Sequence, residues 1–339
     1  MEKSKTGILL VNVGTPDSPE PADVWKYLRQ FLMDGRIIDM PYWRRLLLVN
    51  LIIAPFRAPK SAREYRKIWS EKGSPLMYHS CNFRDSVQQQ LGDNFIVSLA
   101  MRYQNPSIES ALETLRQQRP SSIVIFPLFP QYASATVGSV HEKVMQVVQK
   151  WQEIPELRFI DSFYDHPKMI QTFACLGKQY FDQNRYDHIL FTYHGLPERH
   201  LKQGNSACFE DSECCAAIHA GNHSCYRAQC YATSRSLAEA LGLEDGDYTV
   251  SFQSRLGKDP WIQPYTDDVL GTLAARGVKK ILAFSPSFVA DCLETTIEVG
   301  EEYHEMFTEL GGEDLQLVES LNDHPQWVET ASEIILDND

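Results

Sequence analysis

Three carboxylates at four-residue spacing, Glu294, Glu298 and Glu302, stand in the segment DCLETTIEVGEE at residues 291–302. On an α-helix this spacing stacks them on one face. Like charges so placed repel by roughly a few tenths of a kcal/mol per pair when exposed, and by more when desolvated. Water offsets that repulsion on a solvated acidic face, and a cation offsets it in a binding site. The segment follows the small-residue turn at residues 285–287, so its first turn is expected at a cleft, where carboxylate oxygens can hold a divalent cation in transit. His194 ends an apolar run and precedes Gly195 and Pro197. An imidazole at such a sharp turn can take a proton near neutral pH or ligate a metal, and a histidine that simply bonds a neighbouring loop fits equally well.

Eight cysteines are unevenly spread, with Cys208, Cys214, Cys215, Cys225 and Cys230 crowded into 23 residues beside His219 and His223. In a reducing compartment such a group favours metal over disulfides, and four thiolates suit zinc or an iron–sulfur cluster. The spacing C-x5-CC-x9-C-x4-C matches neither the common zinc nor the ferredoxin pattern. A redox-sensing loop is the competing reading. Between residues 24 and 66, aromatic and apolar side chains (Trp25, Tyr27, Phe31, Tyr42, Trp43, Phe56) alternate with Arg29, Arg36, Arg44, Arg45, Arg57 and Arg63. Such a surface is ordinary helix packing, an apolar lip for a large flat ligand, or a contact with a membrane face.

The elements that must position these residues read as an α/β fold. Short apolar runs at residues 7–13, 95–101, 122–129, 157–163, 188–193, 248–253, 279–284 and 315–321 alternate with helix-patterned segments such as 107–116, 140–151 and 234–241, the signature of βα units in parallel sheets. The two halves resemble each other in order: GILLVNVGTP with HILFTYHGLP, VSLAMR with VSFQSR, and LRFIDSFYDHP with LQLVESLNDHP. We read this as a duplication giving two similar Rossmann-like domains, each a four-stranded parallel sheet flanked by helices, with the active-site cleft between them. Common Val/Ile/Leu usage is the alternative cause. The expected division is residues 1–166 with the lip, residues 167–324 with a cysteine-rich insertion near 200–230, and residues 325–339 as a helix packing back on the first half. Ligands of open α/β sheets bind beyond the strand C-termini. Those ends carry Arg102, Tyr103, Tyr132, His194 and Arg255, and no glycine-rich phosphate loop.

With 45 acidic and 32 basic residues among 339, the net charge is −13, which argues against nucleic acid as partner. The opening residues lack a secretion-signal pattern and the longest apolar stretch, 46–54, is about half the ~20 residues a membrane span needs. A cytoplasmic location is expected, with the lip as a peripheral contact to the inner face of a membrane.

Taken together, GILLVNVGTP, Arg102-Tyr103, FPQYASATVGS, TYHGLP, SFQSRLGKDPWIQPYTD and FVADCLET resemble the ferrochelatase family over nearly the whole chain. The resemblance implies a lyase of haem biosynthesis that inserts Fe²⁺ into a porphyrin held between two similar sheets. It places His194 and Glu294 on opposite faces of the macrocycle. We assign proton acceptance to His194, and the role of metal and proton conduit to Glu294 backed by Glu298 and Glu302. Arg102, Tyr103, Tyr132, Ser134 and Arg255 are the candidates for holding the ring. Ser134 stands where animal members carry a cluster-ligating cysteine, and their cysteine-bearing tail has no counterpart. The internal cysteine segment instead resembles that of microbial members with a [2Fe–2S] cluster, which implies four of Cys208, Cys214, Cys215, Cys225 and Cys230 as ligands. The NVGTPDSP…YLRQFLMD…IIDMP pattern is nearer the protoporphyrin-type members, so protoporphyrin IX is the expected substrate. Coproporphyrin III ferrochelatase, cobalt chelatase and a haem- or iron-binding regulator are the alternatives.

Overall fold

A computed structural model describes residues 5–204, 209, 213–255, 257 and 259–339. Its eight strands form two four-stranded parallel sheets. β1 (Thr6–Gly14), β2 (Phe95–Tyr103), β3 (Ser122–Pro127) and β4 (Glu156–Phe159) lie in the order β2-β1-β3-β4. β5 (His188–His194), β6 (Tyr248–Gln253), β7 (Lys280–Phe284) and β8 (Asp314–Leu317) lie in the order β6-β5-β7-β8. Each sheet opens with its first strand at an interior position, as expected of a strand that is apolar on both faces: Ile8, Leu9, Leu10 and Val11 are all fully buried.

The chain divides into two compact units. One comprises Met1–Phe129, Ser134–Asp161 and Asp323–Asp339, and the other Pro130–Ala133 and Ser162–Asn322. In the first, Leu9, Val11, Ile123 and Ile125 pack on Leu112, Leu115, Val140 and Val144. In the second, Leu190, Ile281 and Leu315 pack on Leu270, Leu273 and Phe307. Each such side chain contributes about 1.5–3 kcal/mol on burial.

The edge strands are shorter than their apolar patterns. β4 pairs with β3 over Glu156–Phe159 alone, yet Ile160 and Phe163 beyond it remain buried. Likewise β8 ends at Leu317 while Val318 and Leu321 stay buried. Burial therefore outlasts the paired residues at a sheet edge, where Ile160 and Val318 still donate to the carbonyls of Ile125 (3.0 Å) and Ala283 (2.8 Å), and apolar pattern reads burial. The helix expected at 234–241 begins earlier, at Tyr226 (Tyr226–Leu241), and that expected at 140–151 runs Ser139–Val148.

Similarity between the units goes beyond strand order. In each, the residue after the second strand takes a left-handed backbone, Gln104 at φ 68° and Ser254 at φ 67°. In each, an N–H within the last three residues of that strand bonds a proline carbonyl in the following loop, Met101 to Pro106 (2.7 Å) and Phe252 to Pro264 (2.8 Å). In each, the third strand leads to a π-helical segment, Ser134–Gly138 and Glu294–Glu302. The repeated Asp-His-Pro starts a helix both times, Pro167–Phe181 and Pro325–Asp337, with proline in the first turn, where its missing N–H is harmless. The first of these packs on Tyr226–Leu241 in one unit, and the second on Pro75–Leu91 in the other, with the Phe83 and Trp327 rings stacked 5.4 Å apart.

Candidate active site

His194 is the last residue of β5 and is registered beside Gln253, the last of β6. Its Nδ1 lies 2.7 Å from the carbonyl oxygen of Gly195. A carbonyl only accepts, so Nδ1 carries a proton, and in the neutral ring the lone pair lies on Nε2. The turn that makes this possible brings Gly195 N–H to within 2.8 Å of the Gln253 carbonyl. A Cβ at Gly195 would sit 2.7 Å from that oxygen, so only glycine fits here. Tyr226 OH donates to the His194 carbonyl at 2.8 Å, and the Trp261 ring lies 6.4 Å from the imidazole.

Gln253 is 1% exposed and its amide is fully used. Thr192 Oγ1 donates to Oε1 at 3.1 Å, while Nε2 reaches the Glu294 carbonyl at 3.3 Å and Glu298 Oε2 at 3.2 Å. The end of β5 is thereby tied through β6 to the acidic segment. That segment departs from expectation: Glu294–Glu302 is π-helical, with Tyr303 N–H reaching back five residues to the Glu298 carbonyl. The three carboxylates are accordingly unequal. Glu302 is exposed, whereas Glu294 and Glu298 are half-buried. Glu298 accepts from Gln253, from Ser254 Oγ at 2.6 Å and from Tyr303 OH at 3.2 Å. Burial, with the Glu298 charge adding to it, pushes the Tyr303 phenol upward and keeps it a donor. Beside Glu294, burial and that residue's charge push the Cys292 thiol well up, so it stays protonated.

In the other unit, Arg102 and Tyr103 at the end of β2 converge on a residue that pattern reading missed. Asp34 Oδ2 accepts from Arg102 (2.6 Å), Tyr103 OH (2.9 Å) and Ser139 Oγ (2.5 Å), and Oδ1 accepts from Arg36 N–H (2.8 Å). Burial alone would raise the Asp34 carboxyl, but the Ser139 and Arg36 hydrogen bonds, the Arg102 charge and the Tyr103 bond outweigh it and hold it below the ordinary carboxylate range. Arg102 also bonds Ser139 and lies over the Tyr103 ring at 4.6 Å. Its guanidinium is thus engaged with the protein, whereas that of Arg255 is exposed, pairs with Asp267 at 3.1 Å and lies over Tyr265. Tyr132 is fixed through its backbone N–H to Gln229 Oε1 (2.6 Å), and Ser134 Oγ accepts from Arg36 at 2.8 Å. A lone Asp in FLMD and a Gln ending an apolar strand are the available sequence signals for Asp34 and Gln253.

These geometries accompany a sequence match that spans the chain. Residues 5–339 match the ferrochelatase family model. The chain belongs to the ferrochelatase family. The ferrochelatase of Legionella pneumophila (strain Lens) is 47% identical over 98% of both chains, and that of Coxiella burnetii (strain Dugway 5J108-111) is 45% identical over 96% of this chain and 91% of its own. Ferrochelatases insert metal into porphyrin in haem biosynthesis. The fold is shared at 11% identity with SirB from Bacillus subtilis with Fe³⁺, at a TM-score of 0.56 over 98% of this chain and 95% of that one.

The [2Fe–2S] ligand set implied for this ferrochelatase by its cysteine segment is not supported. Cys208 lies outside the described residues. Among the described residues no group of three or more His, Cys, Asp or Glu side chains is placed to hold a metal ion, a condition the stacked Glu294, Glu298 and Glu302 also fail to meet. Cys214 and Cys230 are buried, Cys215 and Cys225 half-buried. Burial chiefly, with Arg227 opposing and Cys225 and Cys214 adding, pushes the Cys215 thiol up to about 11. Burial does the same to Cys230 more strongly. With Cys208 outside the described residues and the Cys215 and Cys230 thiols protonated as they stand, no step is derived through such a cluster.

The lip read at residues 24–66 comprises the helix Pro21–Leu32, whose Tyr27 is buried, and three consecutive helical segments, Tyr42–Leu47, Leu48–Ile53 (π-helical) and Ala54–Ile68. Tyr42, Trp43, Leu47, Leu51, Ile52 and Phe56 are all more than half exposed, Phe56 at 80%. Among the described residues no helix is long and apolar enough to cross a membrane.

Proposed function

We propose that this ferrochelatase inserts Fe²⁺ into protoporphyrin IX, with two protons released per haem formed. The observation that carries the residue roles is the Nδ1–H···O=C bond of His194, which in the neutral ring makes Nε2 the proton acceptor. His194 takes one pyrrole proton, and Glu294 delivers the metal from the opposite face and conducts the second proton away to solvent. Glu302, exposed at the far end of the π-helical segment, is where a cation from solvent first meets the path. Hard carboxylates hold Fe²⁺ loosely enough to pass it to four ring nitrogens. Arg255, exposed and paired with a half-buried Asp267, can exchange that partner for a propionate. Tyr132 and Ser134 contribute to ring placement, while Arg102 and Tyr103 frame the pocket through Asp34.

The apolar lip supports a porphyrin with few peripheral charges over a ring bearing eight carboxylates. Its exposed aromatics, flanked by Arg44, Arg45, Arg57, Lys60 and Arg63, also suit peripheral contact with an anionic membrane face in the cytoplasm. The test is anaerobic Fe²⁺ insertion into protoporphyrin IX and coproporphyrin III by wild type, His194→Ala and Glu294→Ala. Each substitution is expected to lower kcat by about 100-fold or more, the scale of a lost general base. Full activity in either variant removes its assigned role, and preference for coproporphyrin III overturns the substrate assignment.

A further inference from the structure

Glu298 has the geometry of a latch. Both its oxygens are taken: Oε2 by Gln253 Nε2 and Ser254 Oγ, Oε1 by Tyr303 OH. An ionised carboxylate offers about four acceptor positions, and three here are filled by neutral donors from β6 and from the end of the π-helical segment. A metal passing through this carboxylate would have to displace donors that are themselves partly buried.

The donors are also arranged to locate something else. Ser254 holds a left-handed backbone, φ 67°, to present its hydroxyl. Non-glycine residues adopt that conformation at a cost and persist there where surroundings over-determine them. Gln253, between Thr192 on one side and Glu298 on the other, also bonds the carbonyl of Glu294 and, through its own carbonyl, the turn that shapes His194. The other unit makes an analogous join: the end of β2, through Arg102, grips Ser139 directly after its π-helical segment. Joining the second strand to the segment after the third is therefore a recurring device, made there with a guanidinium and here with a carboxylate.

We propose that Glu298 is a positioning residue that latches the π-helical segment to the end of β6, fixing the register of Glu294 against His194, and that it does not carry metal. The proposal rests on the chelatase reading above for its kinetic consequence, but the latch itself has a readout independent of activity.

The experiment compares Glu298→Gln, Ser254→Gly and Ser254→Asn with wild type, using Fe²⁺ and protoporphyrin IX. Glycine accepts the left-handed backbone and removes the donor, whereas asparagine tolerates that backbone and restores a donor. Glu298→Gln and Ser254→Gly are each expected to lower kcat about tenfold, equivalent to one charge-assisted hydrogen bond, with KM for Fe²⁺ within about twofold of wild type. Ser254→Asn recovers most of the rate. Amide hydrogen exchange across residues 295–302 accelerates in the two impaired variants and not in the third. A large rise in KM for Fe²⁺ in Glu298→Gln alone makes Glu298 a metal carrier and overturns the proposal, as does unchanged exchange in both impaired variants. Accelerated exchange in a protein whose wild type inserts no metal sinks the chelatase reading and leaves the latch standing.

Discussion

At His194, proton chemistry is decided by a backbone oxygen. The Gly195 carbonyl consumes Nδ1–H, so the ring is presented as a base without any carboxylate to orient it. The cost falls on Gly195, where a Cβ would meet the Gln253 carbonyl at 2.7 Å. Gly195→Ala is expected to destabilise the protein by about 1–3 kcal/mol through that backbone clash and to lower kcat, as denaturant titration and the insertion assay will show. A fully active, fully stable alanine variant would mean the turn can open without cost. Asp34 poses the opposite case, a buried charge with its partner. Removing it in Asp34→Ala strands Arg102, side chain 15% exposed, and should cost about 3 kcal/mol. An unfolding midpoint equal to wild type would show that water replaces the carboxylate. Asp34 does not stand out by pattern. The family motifs mark His194, but Asp34 meets Ser139 across 105 residues, a separation over which pairing leaves no local trace in sequence.

Among elements, strands were legible and one helix type was not. Continuous Val/Ile/Leu runs locate all eight strands, since strands buried on both faces need no alternation. The readings of β4 and β8 overran most, because Ile160, Phe163, Val318 and Leu321 stay buried beyond the paired residues, and that of β3 overran by two residues, Leu128 and Phe129. Carboxylates at four-residue intervals read as an α-helix, yet residues 294–302 bond five residues apart. That choice lies in the latch to Gln253 and Ser254, which no helical pattern contains. In the lip the pattern of apolar and basic residues was legible, but not which side faces water. Six large apolar side chains are exposed there, and they set a prediction: Trp43→Ser with Phe56→Ser should weaken sedimentation with vesicles containing anionic phospholipid at least several-fold. Equal sedimentation would assign those side chains to the porphyrin alone. The cysteine segment was the least legible, since spacing counts thiols without saying whether they converge.

For the whole molecule, acid sensitivity is expected to concentrate in one unit. Asp323 bonds His79 at 2.8 Å and Asn82 at 3.2 Å. Burial would raise its carboxyl, but the His79 and Asn82 hydrogen bonds and the His79 charge prevail, and it lies below its ordinary value. Asp34 is depressed too, by the bonds already described. A carboxyl depressed in the folded state stabilises above its unfolded value, near 3.8, and loses that stabilisation as pH falls through the lower folded value. Thermal midpoints should therefore fall steeply below about pH 4, and less steeply in Asp323→Asn, whose contribution no longer titrates. Identical slopes would remove Asp323 from the account. Asp323 leads into the helix Pro325–Asp337, which serves the first unit just as Pro167–Phe181 serves the second. A ribosome makes the chain from its N-terminus. The unit begun first therefore waits for the last residues to emerge, while the unit begun second has all its parts beforehand. During synthesis Phe83 and its neighbours stand uncovered over most of the chain's elongation, an interval in which a chaperone has something to hold.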